Sequence, residues 1–160
     1  MRSLVNYWRG LGSRVFTFLD YGIRGSPDYA SCLVLSRSCR SDLDSAGVFV
    51  NLRKSLRVLS QVGTCLNFHL DFSLNFITVP LAKTSKFQES ISRIFALRFV
   101  NVKDLASVAG QLNSMFLAIG NIVHLMSSAM YAQISTQNSW FSNFHLEDSV
   151  VEELVFWQSN

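Results

Sequence analysis

Cys65-Leu66-Asn67-Phe68-His69-Leu70-Asp71-Phe72 alternates apolar and polar residues. A period of two puts Leu66, Phe68, Leu70 and Phe72 on one face of an extended segment and Asn67, His69 and Asp71 on the other. Asp71 to Asn75 supplies turn residues, and Phe76-Ile77-Thr78-Val79 returns as a second strand that stops at Pro80. The stretch reads as a hairpin with one apolar face, on whose polar face His69 is a solvated residue.

Beyond Pro80 the apolar period becomes helical. Ser85 with Gln88 makes a capping box, and Phe87, Ile91, Ile94, Phe95 and Arg98 share the stripe that follows. Asn101 with Asp104 opens a second helix with an apolar face of Val102, Leu105, Ala109, Leu112, Met115, Phe116 and Ile119, ended by Gly120. Ala106, Gly110 and Ser114 form a small-residue row that would let a neighbouring helix approach closely. Ile122 to Ile134 reads as a third helix, Ser139 to Leu146 as a bend or short strand, and Asp148 to Trp157 as a last amphipathic helix. Upstream, Ser3 to Arg9 reads as a short helix stopped by Gly10 and Gly12. Val15 to Leu19 is a buried strand, Asp20-Tyr21-Gly22 a turn, and Ile23 the start of the returning strand. Ser26-Pro27-Asp28 starts a helix with a capping hydroxyl, a proline at the first helical position and an acid in the first turn. Tyr29, Cys32, Leu33, Leu43 and Ala46 mark its apolar side, Gly47 stops it, and Val48 to Val50 reads as another short strand. Short strands followed by consecutive helices predict an α+β fold.

The chain has 160 residues, of which 49% are apolar and 16% charged. That excludes intrinsic disorder and fits one domain or parts of two. Residues 1–60 carry nine Arg and Lys against four Asp, and residues 61–120 carry five against three acids. Residues 121–160 carry four acids and no Lys or Arg. A basic front and an acidic tail point to a polyanion partner for the first two thirds. Cys32, Cys39 and Cys65 form neither a CxxC nor a metal-ligand spacing with the histidines. On one helix, Cys32 and Cys39 would stand about 10.5 Å apart along the axis, beyond the roughly 4.4–6.8 Å that a disulfide spans. The thiols read as reduced. No apolar run reaches a membrane-spanning length, and Met1 to Gly10 lacks the apolar core of a signal peptide, so the expected location is intracellular, cytoplasm or nucleus.

Gly10-Leu11-Gly12 lacks the third glycine and the following helix of a phosphate loop, and no hydrolase motif is present. Asp20 is a carboxylate at a strand–turn–strand junction. By spacing alone it reads as a turn residue, although a carboxylate so placed can also hold a divalent metal.

Phe18-Leu19-Asp20-Tyr21-Gly22-Ile23, Ser26-Pro27-Asp28, Asp42-Leu43 through Ala46-Gly47, Asn51 with Lys54-Ser55, and Val62-Gly63 through Leu66, Phe68, Leu70 and Asp71 follow one another along the first half of the chain. Val79-Pro80, Lys83, the block Asp104-Leu105-Ala106-Ser107-Val108-Ala109-Gly110-Gln111-Leu112-Asn113-Ser114, and Ala118-Ile119-Gly120 continue the series. Met130-Tyr131, Ser139-Trp140 and Glu152-Glu153-Leu154-Val155-Phe156-Trp157 with Asn160 complete it. Over nearly its whole length the chain resembles the reverse transcriptases of DIRS-like retroelements, which encode a tyrosine recombinase. The resemblance implies that residues 1–80 are the C-terminal part of a palm with a primer-grip-like hairpin. It makes residues 81–137 a helical thumb and residues 138–160 the start of a connection toward a ribonuclease H region. The implied activity is RNA-directed DNA polymerisation by two-metal nucleotidyl transfer, with Mg²⁺ on Asp20 and Lys54 near the incoming nucleotide. Leu66, Phe68 and Leu70 would form the primer grip. Lys83, Lys86, Arg93, Arg98 and Lys103 would meet phosphates of an RNA/DNA template–primer duplex, although each alone also reads as a solvated helix-face charge.

The departures bear on activity. Tyr21 stands where the family has its second hairpin Asp, and the first metal-binding Asp, the fingers and the ribonuclease H domain would lie outside this chain. A neutral phenol is a poor Mg²⁺ ligand. Cys65 and Asn67 replace residues that are commonly Trp and Gly. The expectation is a polymerase fragment that is inactive alone and retains template–primer binding. The competing expectation is a non-enzymatic relic or protein-interaction module that self-associates through uncovered palm surface. Salt-dependent binding favours the first and salt-insensitive association the second.

Overall fold

The structure is a computed structural model that describes residues 2–18, 21–56 and 58–160, with Phe18 and Tyr21 described by their backbone alone. Eight helices and seven short strands among the described residues make the chain α+β. It divides into two compact units, Met1–Leu66 with Leu70–Asn75, and Asn67–His69 with Phe76–Asn160.

The first unit begins with α1 (Arg2–Gly10), which buries Val5 and Trp8. Gly12, at φ 80°, takes the left-handed conformation that turns the chain out of the helix. The strands β1 (Arg14–Phe18) and β2 (Tyr21–Gly25) pair antiparallel from Arg14↔Gly25 to Phe18↔Tyr21. Helix α2 (Tyr29–Ser45) is capped by Asp28, whose carboxylate accepts the Ser31 N–H at 2.8 Å. That bond holds the Asp28 carboxyl below its ordinary pKa. The expected cap, Ser26, is displaced because Pro27 lies before the helix, leaving the acid at the boundary. Of the apolar side expected for α2, Cys32, Leu33 and Leu43 are half-buried, whereas Tyr29 and Ala46 are exposed and no residue of the helix is fully buried. Nor do Val48 to Val50 form a strand. Gly47 at φ 71° donates to Asp44 O and Val48 N–H donates to Leu43 O, so Val48 is used in a Schellman cap of α2.

The hairpin expected over residues 65–79 is a three-stranded meander, β3 (Val62–Cys65), β4 (Phe68–Asp71) and β5 (Phe76–Thr78), in that order. Leu66 and Asn67, at φ 51° and 60°, form a tight left-handed turn inside the stretch that reads as one strand. Two such residues are what a two-residue hairpin turn requires, and inserting an even number leaves the alternation intact, so periodicity alone does not reveal the turn. Asp71 closes the next turn by accepting the Ser73 hydroxyl and the Leu74 N–H, which hold its carboxyl below the ordinary range.

The second unit holds the larger core. Helix α3 (Leu81–Phe95) starts at Pro80 rather than at Ser85. The Pro80 carbonyl accepts from Lys83 and Thr84, and Gln88, the other half of the expected capping box, donates to Trp157 O instead. After β6 (Val100–Asn101), α4 (Val102–Asn113) opens as the sequence predicts: Asn101 accepts the Asp104 N–H at 2.8 Å and donates to its carboxylate at 2.8 Å. Helix α4 buries Val102, Leu105, Val108, Ala109 and Leu112. It ends before Gly120, and α5 (Phe116–Ile119) makes the last turn up to that glycine at φ 85°. The small-residue row receives no helix, for nothing lies within 4 Å of a Cβ built on Gly110.

The expected helix 122–134 is two helices, α6 (Ile122–Leu125) and α7 (Ser128–Ser135). The break is held from outside: Trp157 Nε1 donates to Met126 O at 2.6 Å, and Ser127 Oγ donates to Val123 O at 2.7 Å. Strand β7 (Asn143–Phe144) pairs with β6, and α8 (Asp148–Ser159) closes the unit. Ile91, Ile94, Leu105, Leu112, Met115, Met130 and Leu154 are fully buried in one cluster. Each such side chain contributes about 1.5–3 kcal/mol of burial free energy. Residues 81–137 and 138–160 thus share one core.

Candidate nucleic-acid interface

Asp20 lies outside the described residues. Tyr21 is placed by its backbone opposite Phe18, so only Leu19 and Asp20 separate the paired ends of β1 and β2 in sequence. Asn51, Lys54 and Ser55 form one hydrogen-bonded turn. Asn51 Oδ1 accepts the Arg53 and Lys54 N–H groups, and Ser55 Oγ donates to Asn51 O at 2.8 Å. The Lys54 side chain is exposed at the end of this turn. Residues 48–53, with Arg40 and Asp44, line an open depression of about 520 Å³.

Of the three residues expected to form a primer grip, Phe68 is buried, whereas Leu66 and Leu70 are half-buried and Leu66 is part of the left-handed turn. Phe68 and Lys83 meet: the ammonium lies 4.7 Å from the ring centroid and donates to Ser114 O at 2.7 Å. Burial pushes the Lys83 ammonium below its ordinary pKa. Its charge is therefore spent within the protein.

That burial has a readable sign. Between the lowered folded value and the unfolded value near 10.5, the unfolded chain keeps a proton that the folded chain has released. Stability therefore gains from this group as pH rises through that window, and below it the cost of burying the charge is fully present. Urea midpoints measured from about pH 8 to about pH 10.5 are expected to show an upward contribution that Lys83→Met removes. The methionine keeps an unbranched chain against Phe68. An identical pH profile for the two proteins would contradict the placement.

The other four cations divide. Arg93 Nη2 stands 3.5 Å from Oδ1 of Asp104, whose Oδ2 accepts from Asn101. The Arg98 guanidinium lies 6.0 Å from the Phe99 ring. Lys86 and Lys103 are exposed. Among the described residues, no carboxylate pairs with Lys86, Arg98 or Lys103, which leaves these three for an external anion. Between α3 and α4 the order is antiparallel: Lys83 reaches Ser114, Ser90 bonds Gln111, and Arg93 reaches Asp104.

Two polar clusters escape the sequence reading. Glu153, on α8, accepts the Ala129 and Met130 N–H groups at 2.8 and 3.0 Å and the Ser128 hydroxyl at 3.2 Å. It caps α7 from a neighbouring helix. An acid in line with Val150, Leu154 and Trp157 was the signal. In the first unit, Arg24 donates to Ser13 Oγ and Leu35 O and lies 4.7 Å from the Trp8 ring centroid, while Trp8 Nε1 donates to Asp42 at 2.6 Å.

The three cysteines are free and half-buried, and burial pushes the Cys65 thiol up, away from the reactive thiolate. Among the described residues no three His, Cys, Asp or Glu side chains gather as a metal site, and no helix is long and apolar enough to cross a membrane. No family model, curated protein or solved structure matches the chain.

Proposed function

We propose that the chain is the palm-end, thumb and connection portion of a DIRS-like reverse transcriptase that grips a template–primer duplex without extending it. The observation that carries this reading is the β1–β2 register, which pairs Phe18 with Tyr21, so that only two residues of sequence, one of them Asp20, separate the paired ends, as in a catalytic hairpin. Asn67 supports it: its left-handed φ of 60° is one that glycine, the common residue there in the family, adopts freely. The helical unit, with Lys86, Arg98 and Lys103 on its surface, supplies phosphate contacts. The Mg²⁺ of the family does not fit the donors that this sequence offers at the hairpin, one carboxylate and a phenol in place of two carboxylates, and no catalytic step follows from it.

With Mg²⁺ or Mn²⁺, the purified chain is expected to extend no primer, and Tyr21→Asp alone is expected to restore nothing. Titration of a labelled template–primer is expected to show affinity falling steeply with salt, by a log–log slope of about −0.9 per phosphate contacted. Replacing Lys86, Arg98 and Lys103 together by Ala flattens that slope by about two to three units at unchanged helix content. Replacing Arg93, already paired to Asp104, changes it little. Extension abolished by Asp20→Asn, or no duplex binding at low salt, would overturn the reading.

One observation favours the non-enzymatic alternative, a self-associating relic or interaction module. Phe49, Leu56 and Val58 are largely exposed in a unit that, among the described residues, buries Val5, Trp8 and Ser13. Salt-insensitive association of the chain would select it.

A further inference from the structure

The turn Ser139–Ser142 carries unusual residues. Ser142 N–H donates to Ser139 O at 3.1 Å and Phe141 N–H to Ser139 Oγ at 3.3 Å, which puts Trp140 and Phe141 at the two central positions. Those positions ordinarily take small or polar residues. Here they hold two large rings, 61% and 79% exposed, that add little to the core. The turn itself is fixed, because Val102 N–H donates to Ser142 O and Lys103 N–H donates to Trp140 O at 3.3 Å, and β6 pairs with β7 just beyond.

The same pairing sets Phe99, half exposed at 50%, against His145 with ring centroids 4.3 Å apart. Residues 97–103 and 137–146 thus bring together Phe99, Trp140 and Phe141 with Arg98 and Lys103. No Asp or Glu lies in either segment.

We propose that this corner binds single-stranded nucleic acid, its rings stacking on unpaired bases while Arg98 and Lys103 meet the phosphates. A duplex keeps its base faces stacked on one another, so exposed rings gain nothing from it, whereas an unpaired strand offers both base faces and phosphates. Arg98 and Lys103 supply the charge for a polyanion; Asp104, next to Lys103, is already engaged by Arg93 and Asn101, and Glu147 and Asp148 lie just beyond the second segment. A second copy seated on the patch would instead oppose cation to cation. The proposal shares Arg98 and Lys103 with the duplex reading but rests on the exposed rings, and it needs neither Asp20 nor any duplex contact.

The test uses the full chain and a labelled oligothymidylate of about twenty nucleotides, read by anisotropy and by tryptophan fluorescence. Trp8 and Trp157 are buried, so quenching on binding reports Trp140. The single strand is expected to bind with quenching. Trp140→Ala weakens it about tenfold and removes the quenching, and Trp140→Phe retains most of the affinity. Phe141→Ala also weakens binding, and both alanine variants keep the wild-type circular dichroism and the wild-type affinity for blunt duplex. No binding of the single strand at low salt would overturn the proposal. So would binding that Trp140→Ala leaves unchanged, or a concentration-dependent self-association that Trp140→Ala abolishes.

Discussion

Glu153→Ala is expected to destabilise the helical unit by about 3 kcal/mol, seen as a lowered urea midpoint by circular dichroism. The side chain is 6% exposed, and its two oxygens take the Ser128 hydroxyl and the first N–H groups of α7. A helix N-terminus presents N–H groups without intrahelical partners and a partial positive charge, and a carboxylate satisfies both. Alanine would leave two donors unpaired in a buried site, each costing about 1–3 kcal/mol, partly offset because the carboxylate no longer has to be desolvated. Glu153→Gln keeps an acceptor but loses the charge, so about half the effect is expected. The break between α6 and α7 makes this helix start depend on α8, through Glu153 and through the Trp157 bond to Met126 O. Equal stability of the alanine variant and the wild type would mean that the α7 cap is supplied by water rather than by Glu153.

The helical half was legible where its signals are local. The Asn101–Asp104 capping box and the stripe through Leu105 and Leu112 read directly, because a cap and a 3.6-residue period depend on neighbours in sequence. Helix α3 starts ahead of its Ser85–Gln88 capping-box signal because tertiary structure takes Gln88 away to Trp157. The split of residues 122–134 was illegible for the same reason, as its cause lies on α8, more than twenty residues away. The turn at Leu66-Asn67 stayed hidden because two residues preserve the alternation. Among the candidate contacts, the five basic residues looked equivalent in sequence. Only the fold separates Lys83 and Arg93, engaged by Ser114 and Asp104, from the three that remain available.

Asp42→Ala is expected to destabilise the first unit by about 2–3 kcal/mol while the helical unit keeps its own unfolding midpoint. Among the described residues of the unit only Val5, Trp8 and Ser13 are buried, so the polar cluster weighs heavily there. Asp42 accepts the Trp8 indole N–H at 2.6 Å and faces Arg24 Nη1 at 3.7 Å, tying α1, β2 and α2 together. The Arg24 side chain is 9% exposed, so removing its carboxylate leaves a guanidinium in a poorly solvated site. The effect stays below that of a fully buried pair because Ser13 Oγ, Leu35 O and the Trp8 ring still hold the cation. Asp42→Asn keeps an acceptor for the indole and is expected to recover about half the loss. The unit-specific readout is Trp8 against Trp157, each alone in its unit's interior, followed by hydrogen exchange of the two indole N–H groups. Faster exchange at Trp8 with protection kept at Trp157 is the expected result. Equal loss at both would mean that the two units unfold together, and unchanged exchange at Trp8 would remove Asp42 from the cluster.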